Sequence, residues 1–198
     1  MLSAPPNQFK SFVALRMALS VANGLPMFAE FETAQCNVLY VNEEDNHAEN
    51  KRRYGMLLQD GERADGVFFV IESGRKIDEK WIKEIAEIAD MHNIGFVILD
   101  SLRALHLEDE NVSHLMQPIM DKLRILTRKG LTVLFTHHHR KGNTNNQLEN
   151  GIDMARGSTA ITAAIHGHLT CQEKKTGGQP YLVISQQKLK AAKKLDPF

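Results

Sequence analysis

Cysteine is scarce in this chain. Cys36 and Cys171 are the only two among 198 residues, far apart and outside any C-x-x-C pair. Zinc and dithiol-redox readings are left without support, and two isolated thiols suit a reducing cytoplasm. An excess of one charge is also missing. Lys+Arg and Asp+Glu each number 24, so the formal net charge is zero. Nothing in the global balance marks a nucleic-acid binder, and any such contact must be local. Long apolar runs are absent too, none approaching the roughly 20 residues that span a bilayer, so no membrane association is expected. Acidic residues do not occur before Glu30, while Lys10 and Arg16 do. Such a stretch can mimic a transit peptide, but Phe12, Val13, Leu15, Leu19 and Ala22 recur at helical spacing and read as a structural helix over residues 11–23. Internal repeats and low-complexity tracts are lacking.

What is present is an alternation. Leu2-Ser3-Ala4 reads as the end of a strand running into the turn Pro5-Pro6. Apolar runs over residues 38–41, 67–71, 96–99 and 131–135 read as strands, and residues 47–58, 80–91 and 112–127 as helices between them. The strands are continuous rather than alternating, as in a parallel sheet buried on both faces by helices. Right-handed crossovers then bring the C-terminal ends of the strands to one edge, where ligands bind in open α/β sheets. After Phe135 the pattern changes. Residues 143–150 read as a polar loop, 158–165 as a short helix, and 168–172 with 181–185 as an antiparallel hairpin turning at Thr176-Gly177-Gly178-Gln179. The expected architecture is one α/β domain over residues 1–198, its first strand cut short, with a mainly parallel sheet and a C-terminal antiparallel hairpin.

Chemistry gathers at the expected strand ends. Ala4-Pro5-Pro6-Asn7-Gln8-Phe9-Lys10-Ser11 has the position, lysine and hydroxyl of a phosphate loop, G-x-x-x-x-G-K-[ST]. In such loops backbone N–H groups and the helix start hold phosphate oxygens. Glycine is missing where the motif requires it: Ala4 and Phe9 stand in both places. Asn7 tolerates a left-handed backbone; a bulky Phe9 has no such allowance. The alternative is an ordinary helix start with a solvated lysine. Asp100 closes the 96–99 strand and is placed to hold Mg²⁺, or else to cap a loop. Glu43, Glu44 and Asp45 end another strand, as a general base for an attacking water or as a solvated acidic turn. The tract His137-His138-His139 invites a metal reading, but successive side chains on an extended strand point to opposite faces. A polar sensor of phosphate or water fits better than a shared ion.

These segments resemble the RecA-like hexameric helicases and related AAA ATPases, most closely the plasmid replicative helicases of the RepA type. The resemblance is carried by Phe9-Lys10-Ser11-Phe12, Tyr40 through Asp45, Ile98 through Arg103, Phe135-Thr136-His137-His138 with Lys141-Gly142, and Ala155-Arg156-Gly157-Ser158-Thr159. It implies a RecA-like P-loop NTPase core and an ATP-hydrolysing motor, a DNA helicase of replication. ATP is implied to bind at Pro6, Asn7, Gln8, Phe9, Lys10, Ser11 and Phe12, with Mg²⁺ on Ser11 and Asp100. Glu44 is implied as the catalytic base, Glu43 being the alternative, and His137 or His138 as the γ-phosphate sensor. Arg156 is implied as a finger toward a neighbouring subunit's nucleotide, with Lys188 and Lys190 contributing similarly unless they belong to a solvated basic tail. The partners implied are single-stranded DNA, met by mobile loops over residues 103–113 and 139–153 with Arg140 and Lys141 on the phosphates, and further copies of the chain in a hexameric ring. The acidic Glu108, Asp109 and Glu110 argue against tight backbone binding in the first of those loops. No primase- or origin-binding domain is expected. A recombinase or clock-type ATPase of the same superfamily, or a weakly hydrolysing nucleotide-dependent assembly switch, is the alternative function.

Overall fold

A computed structural model of the chain describes residues 1–139, 159–190, 193 and 195–198. Among these residues seven strands form one sheet: β1 (Leu2–Ala4), β2 (Asn37–Asn42), β3 (Val67–Ile71), β4 (Ile94–Asp100), β5 (Thr132–His138), β6 (Gly167–Thr176) and β7 (Gln179–Leu189). Their order is β3-β2-β4-β5-β1-β6-β7. All neighbours pair in parallel except β6 and β7. The expected sheet with its antiparallel hairpin is therefore what the chain forms.

Among the described residues five α-helices accompany the strands: α1 (Lys10–Asn23), α2 (His47–Leu57), α3 (Glu79–His92), α4 (Ser113–Arg128) and α5 (Thr159–Ala164). Their limits follow from capping. Asn46 and Asp78 accept the backbone N–H groups of Glu49 and Trp81 and so start α2 and α3. Gly24, at φ 64°, ends α1 in the left-handed conformation that glycine adopts without steric cost.

Two apolar clusters sandwich the sheet. On the first face α1 packs Val13, Leu15 and Met17 against Val38, Tyr40, Phe96, Ile98 and Leu134. On the second, α3, α4 and α5 pack Trp81, Ile85, Met116, Leu123 and Ile161 against Leu39, Val97, Leu99 and Phe135. Burial of each such side chain contributes roughly 1.5–3 kcal/mol. These packed faces hold the strand ends at fixed heights. No helix among the described residues is long and apolar enough to cross a membrane.

Three features depart from the sequence reading. Strand β5 continues through Thr136, His137 and His138, because β1 pairs alongside and satisfies the backbone of these polar residues. The hairpin strands run up to their turn, Thr176 pairing with Gln179. Gly177 and Gly178, at φ 57° and 82°, supply the two left-handed positions of a tight hairpin turn and are its whole loop. A 3-10 helix (Leu102–Leu105) follows β4 and buries Leu102 and Leu105, where apolar spacing over four residues is too short to read.

Candidate nucleotide site

The segment from Pro5 to Phe9 leaves β1 and enters α1 at the C-terminal edge of the sheet. Asn7 and Phe9 both adopt left-handed backbone conformations, with φ of 60° and 58°. Phe9 thus takes the geometry for which phosphate loops use glycine, at a cost on the order of 1–3 kcal/mol. Its ring does not close the loop. It is 44% exposed and meets Phe12 edge-on at 6.0 Å. Arg53 stacks over the other end of this arrangement, 5.6 Å from the Phe12 ring centre. Asn7 and Pro6 are exposed. Gln8 is fastened from below. Its carbonyl accepts the Cys171 thiol at 3.1 Å, and its side-chain oxygen accepts the Glu173 N–H at 2.7 Å. Strand β6 therefore braces the loop, and burial pushes the Cys171 thiol up to about 11, keeping it protonated.

Lys10 is buried at the first position of α1. Its ammonium donates to the Pro5 carbonyl at 3.2 Å and to His138 Nδ1 at 3.2 Å. Burial lowers its pKa, while Asp100, Cys171 and Glu44 act in the opposite direction. A desolvated cation facing two carboxylates inside a backbone loop is matched to a polyanion. Ser11 follows, half-buried, in the first turn of α1.

Asp100 ends β4 beside this lysine. Tyr40 donates to its Oδ2 at 2.6 Å and Thr136 to its Oδ1 at 2.5 Å. Each oxygen keeps a further lone pair, so the carboxylate is oriented but not used up. Tyr40 and Thr136 come from the strands on either side, β2 and β5, and burial together with Asp100 holds the Tyr40 hydroxyl protonated. The Asp100–Ser101 peptide is cis.

The two adjacent glutamates after β2 diverge. Asn42 accepts the backbone N–H groups of Glu44 and Asp45 at 2.8 and 2.9 Å, forming a tight turn. That turn sends Glu43 away, where its carboxylate accepts from Ser73 N at 3.1 Å, from the Ser73 hydroxyl and from Gly74 N at 2.9 Å. Glu44 turns inward instead. It accepts from the Ser101 hydroxyl, and its Oε1 lies 3.8 Å from His138 Nε2. His138 and Ser101 lower its pKa against the opposing effect of burial, so it is ionised and available as a base at neutral pH.

His138 completes the group, bridging Lys10 and Glu44. An ammonium can donate to Nδ1 only if that nitrogen is unprotonated, so Nε2 carries the hydrogen and faces Glu44. His137 and His139 point to the second face of the sheet. His137 Nδ1 lies 3.6 Å from Glu110 Oε1, and His139 Nε2 lies 2.9 Å from the Ser3 hydroxyl. The structure thus brings Lys10, Asp100, Glu44 and His138 together, and it does not bring Glu43 or His137 to them. Nor does it bring Lys188 to the phosphate loop of its own chain. Lys188 Nζ donates to the Thr162 carbonyl of α5 on the second face, and the Lys190 backbone N–H bonds His166. Arg140, Lys141 and Arg156, with the loop expected over residues 143–150, lie outside the described residues.

Sequence reasoning missed the supports: Tyr40 and Thr136 on Asp100, Asn42 under Glu44, and Gln8 with Cys171 under the loop. Each is a contact between distant segments, and only the asparagine before an acidic turn carries a local signal. A large cavity among the described residues opens elsewhere, near the N-terminal ends of the strands beside Met17, Cys36 and Phe96. It has none of these groups, and the chemistry outweighs its size.

A phosphate-type loop, a buried lysine, a strand-end aspartate and an inward glutamate on a mainly parallel sheet define a RecA-like P-loop fold. The chain belongs to the AAA domain family, whose model matches residues 1–144. It is also similar in structure to a KaiC-like protein of the hyperthermophilic archaeon Pyrococcus horikoshii OT3, with a TM-score of 0.68 at 14% sequence identity, covering 99% of this chain and 81% of that one. At that identity the likeness speaks for the fold.

Proposed function

We propose that this chain is a Mg²⁺-dependent ATPase motor domain that acts on single-stranded DNA as a homo-oligomeric ring, a helicase of replication. The observation that carries the reading is the meeting of Lys10, Asp100, Glu44 and His138 at one sheet edge. Lys10 and the backbone of residues 6–12 hold the triphosphate. Ser11 and Asp100 would hold Mg²⁺, which their hydroxyl and carboxylate fit, and its charge would offset the negative charge on the phosphates. Glu44 accepts a proton from the attacking water, whose oxygen bonds to the γ-phosphorus as the bond to ADP breaks. His138, already hydrogen-bonded to Lys10, senses that phosphate. Arg156 serves a neighbouring subunit's nucleotide, Lys188 and Lys190 contribute there, and Arg140 and Lys141 contact DNA phosphates.

The test is ATP turnover measured with and without single-stranded DNA, together with mass in solution. DNA-stimulated turnover by an oligomer is expected; turnover indifferent to DNA, from a monomer, contradicts the motor reading. The likeness to a KaiC-like protein is compatible with one second reading, a recombinase or clock-type ATPase that hydrolyses without unwinding. A strand-displacement assay separates the two.

A further inference from the structure

Strand β5 carries His138 toward the phosphate loop and His137 to the opposite face, where a buried carboxylate stands that the hydrolysis reading does not use. Glu110 lies in the loop between the 3-10 helix and α4 and is 7% exposed. In the acidic run Glu108-Asp109-Glu110 it is the buried member, facing histidine. Its Oε1 is 3.5 Å from His106 Nε2 and 3.6 Å from His137 Nδ1. Burial acts to raise its pKa, and His106, His137 and Arg103 outweigh that and lower it.

These separations are longer than a good hydrogen bond. Among the described residues, neither His106 nitrogen nor Glu110 Oε1 has a hydrogen-bond partner. Buried polar groups are ordinarily satisfied, so a small closing movement between His106 and Glu110 gains a bond that the present arrangement lacks. The same loop holds Leu107, next to His106, 81% exposed to solvent. One short segment thus has a polar base buried against β5 and an apolar side chain displayed outward.

We propose that Glu110 is a positioning residue that fastens the 106–112 loop to β5 through His137, linking nucleotide at His138 to the conformation of the exposed Leu107 segment. The inference rests on the nucleotide-site reading above and adds its regulation. His137 and His138 are consecutive on one paired strand, so a shift of one moves the other. Two sites that bias one shared element are coupled reciprocally: a ligand on the loop alters nucleotide affinity by the factor with which nucleotide alters affinity for that ligand.

The test is amide hydrogen exchange of the full chain with and without a non-hydrolysable ATP analogue and Mg²⁺, in wild type, Glu110→Gln and His106→Gln. The analogue is expected to slow exchange over residues 5–12 in all three proteins. It is expected to slow residues 102–112 by about tenfold in wild type, with most of that second effect lost in both variants. Slowing at residues 5–12 of wild type without any at 102–112, or full slowing at 102–112 in the variants, overturns the inference and leaves the nucleotide site standing. No slowing at residues 5–12 of wild type overturns the nucleotide site and the inference with it. Retained protection of β4 identifies a folded variant, and if Glu110→Gln does not fold, His106→Gln decides.

Discussion

The two faces of the sheet at the end of β5 are built from the same residue types and end in opposite chemistry. On the first face His138 lies between a buried lysine and a half-exposed glutamate, in a cluster with open access to solvent. On the second face His139 and His168 share the Ser3 hydroxyl at 2.9 and 2.6 Å, all three buried. A histidine flanked by opposite charges and reachable by a ligand can report on that ligand. Histidines packed around a serine hold strands β1, β5 and β6 together and stay neutral. Residue type alone does not separate these roles; the face of the strand does.

The sharpest break between the faces is catalytic. Glu44→Gln is expected to reduce ATP turnover by about a hundredfold or more while preserving ATP binding, since a positioned base contributes roughly 10²–10⁴ in rate. Glu43→Gln, which disturbs only the contacts to Ser73 and Gly74, is expected to remain within a few-fold of wild type. Single-turnover hydrolysis by both variants checks this, and the reverse ranking reassigns the base.

A smaller effect marks the second face. Burial holds the pKa of His139 down to about 4 and that of His168 to about 3, below the ordinary value near 6.5 of the unfolded chain. Above pH 6.5 both states are neutral there and stability does not depend on these groups. As pH falls the unfolded chain takes up protons first, so stability declines through the window from about 6.5 to about 4 for His139 and to about 3 for His168. Between pH 6.5 and 5, above the carboxylate range, His168→Gln is expected to flatten this decline by up to one proton. Denaturant melts across that range measure it, and an unchanged slope contradicts the neutral-core assignment.

The smallest effect concerns Phe9. At φ 58° a glycine relieves strain that alanine retains, so Phe9→Gly is expected to be more stable than Phe9→Ala by roughly 1 kcal/mol. Both lose the ring contact with Phe12, so the difference isolates the backbone. Equal stabilities contradict the left-handed assignment.

Much of this arrangement is readable without coordinates, for identifiable reasons. The strands announce themselves because Val38 to Val41, Val67 to Ile71 and Phe96 to Leu99 are apolar without alternation, as strands covered on both sides require. The alternating directions of His137, His138 and His139 follow from strand periodicity alone. Lys10 and Ser11 are legible through spacing. The rest depends on contacts across distance. The choice between Glu43 and Glu44 is made by the Asn42 side chain, and Asp100 is aimed by Tyr40 and Thr136 from neighbouring strands. Glu110 reads with Glu108 and Asp109 as part of a mobile acidic loop; only the partners on either side, His106 and His137, show it inside. Phe9 contradicts the usual glycine preference, and its exposed ring and left-handed backbone show how the loop forms regardless.

The central claim is that Lys10 faces a triphosphate. Equilibrium titration of wild type and Lys10→Ala with a fluorescent ATP analogue in the presence of Mg²⁺ tests it most directly. Saturable binding by wild type, weakened about a hundredfold or more in the variant, is the predicted result. Equal affinity in the two proteins, or no binding by wild type, contradicts the account.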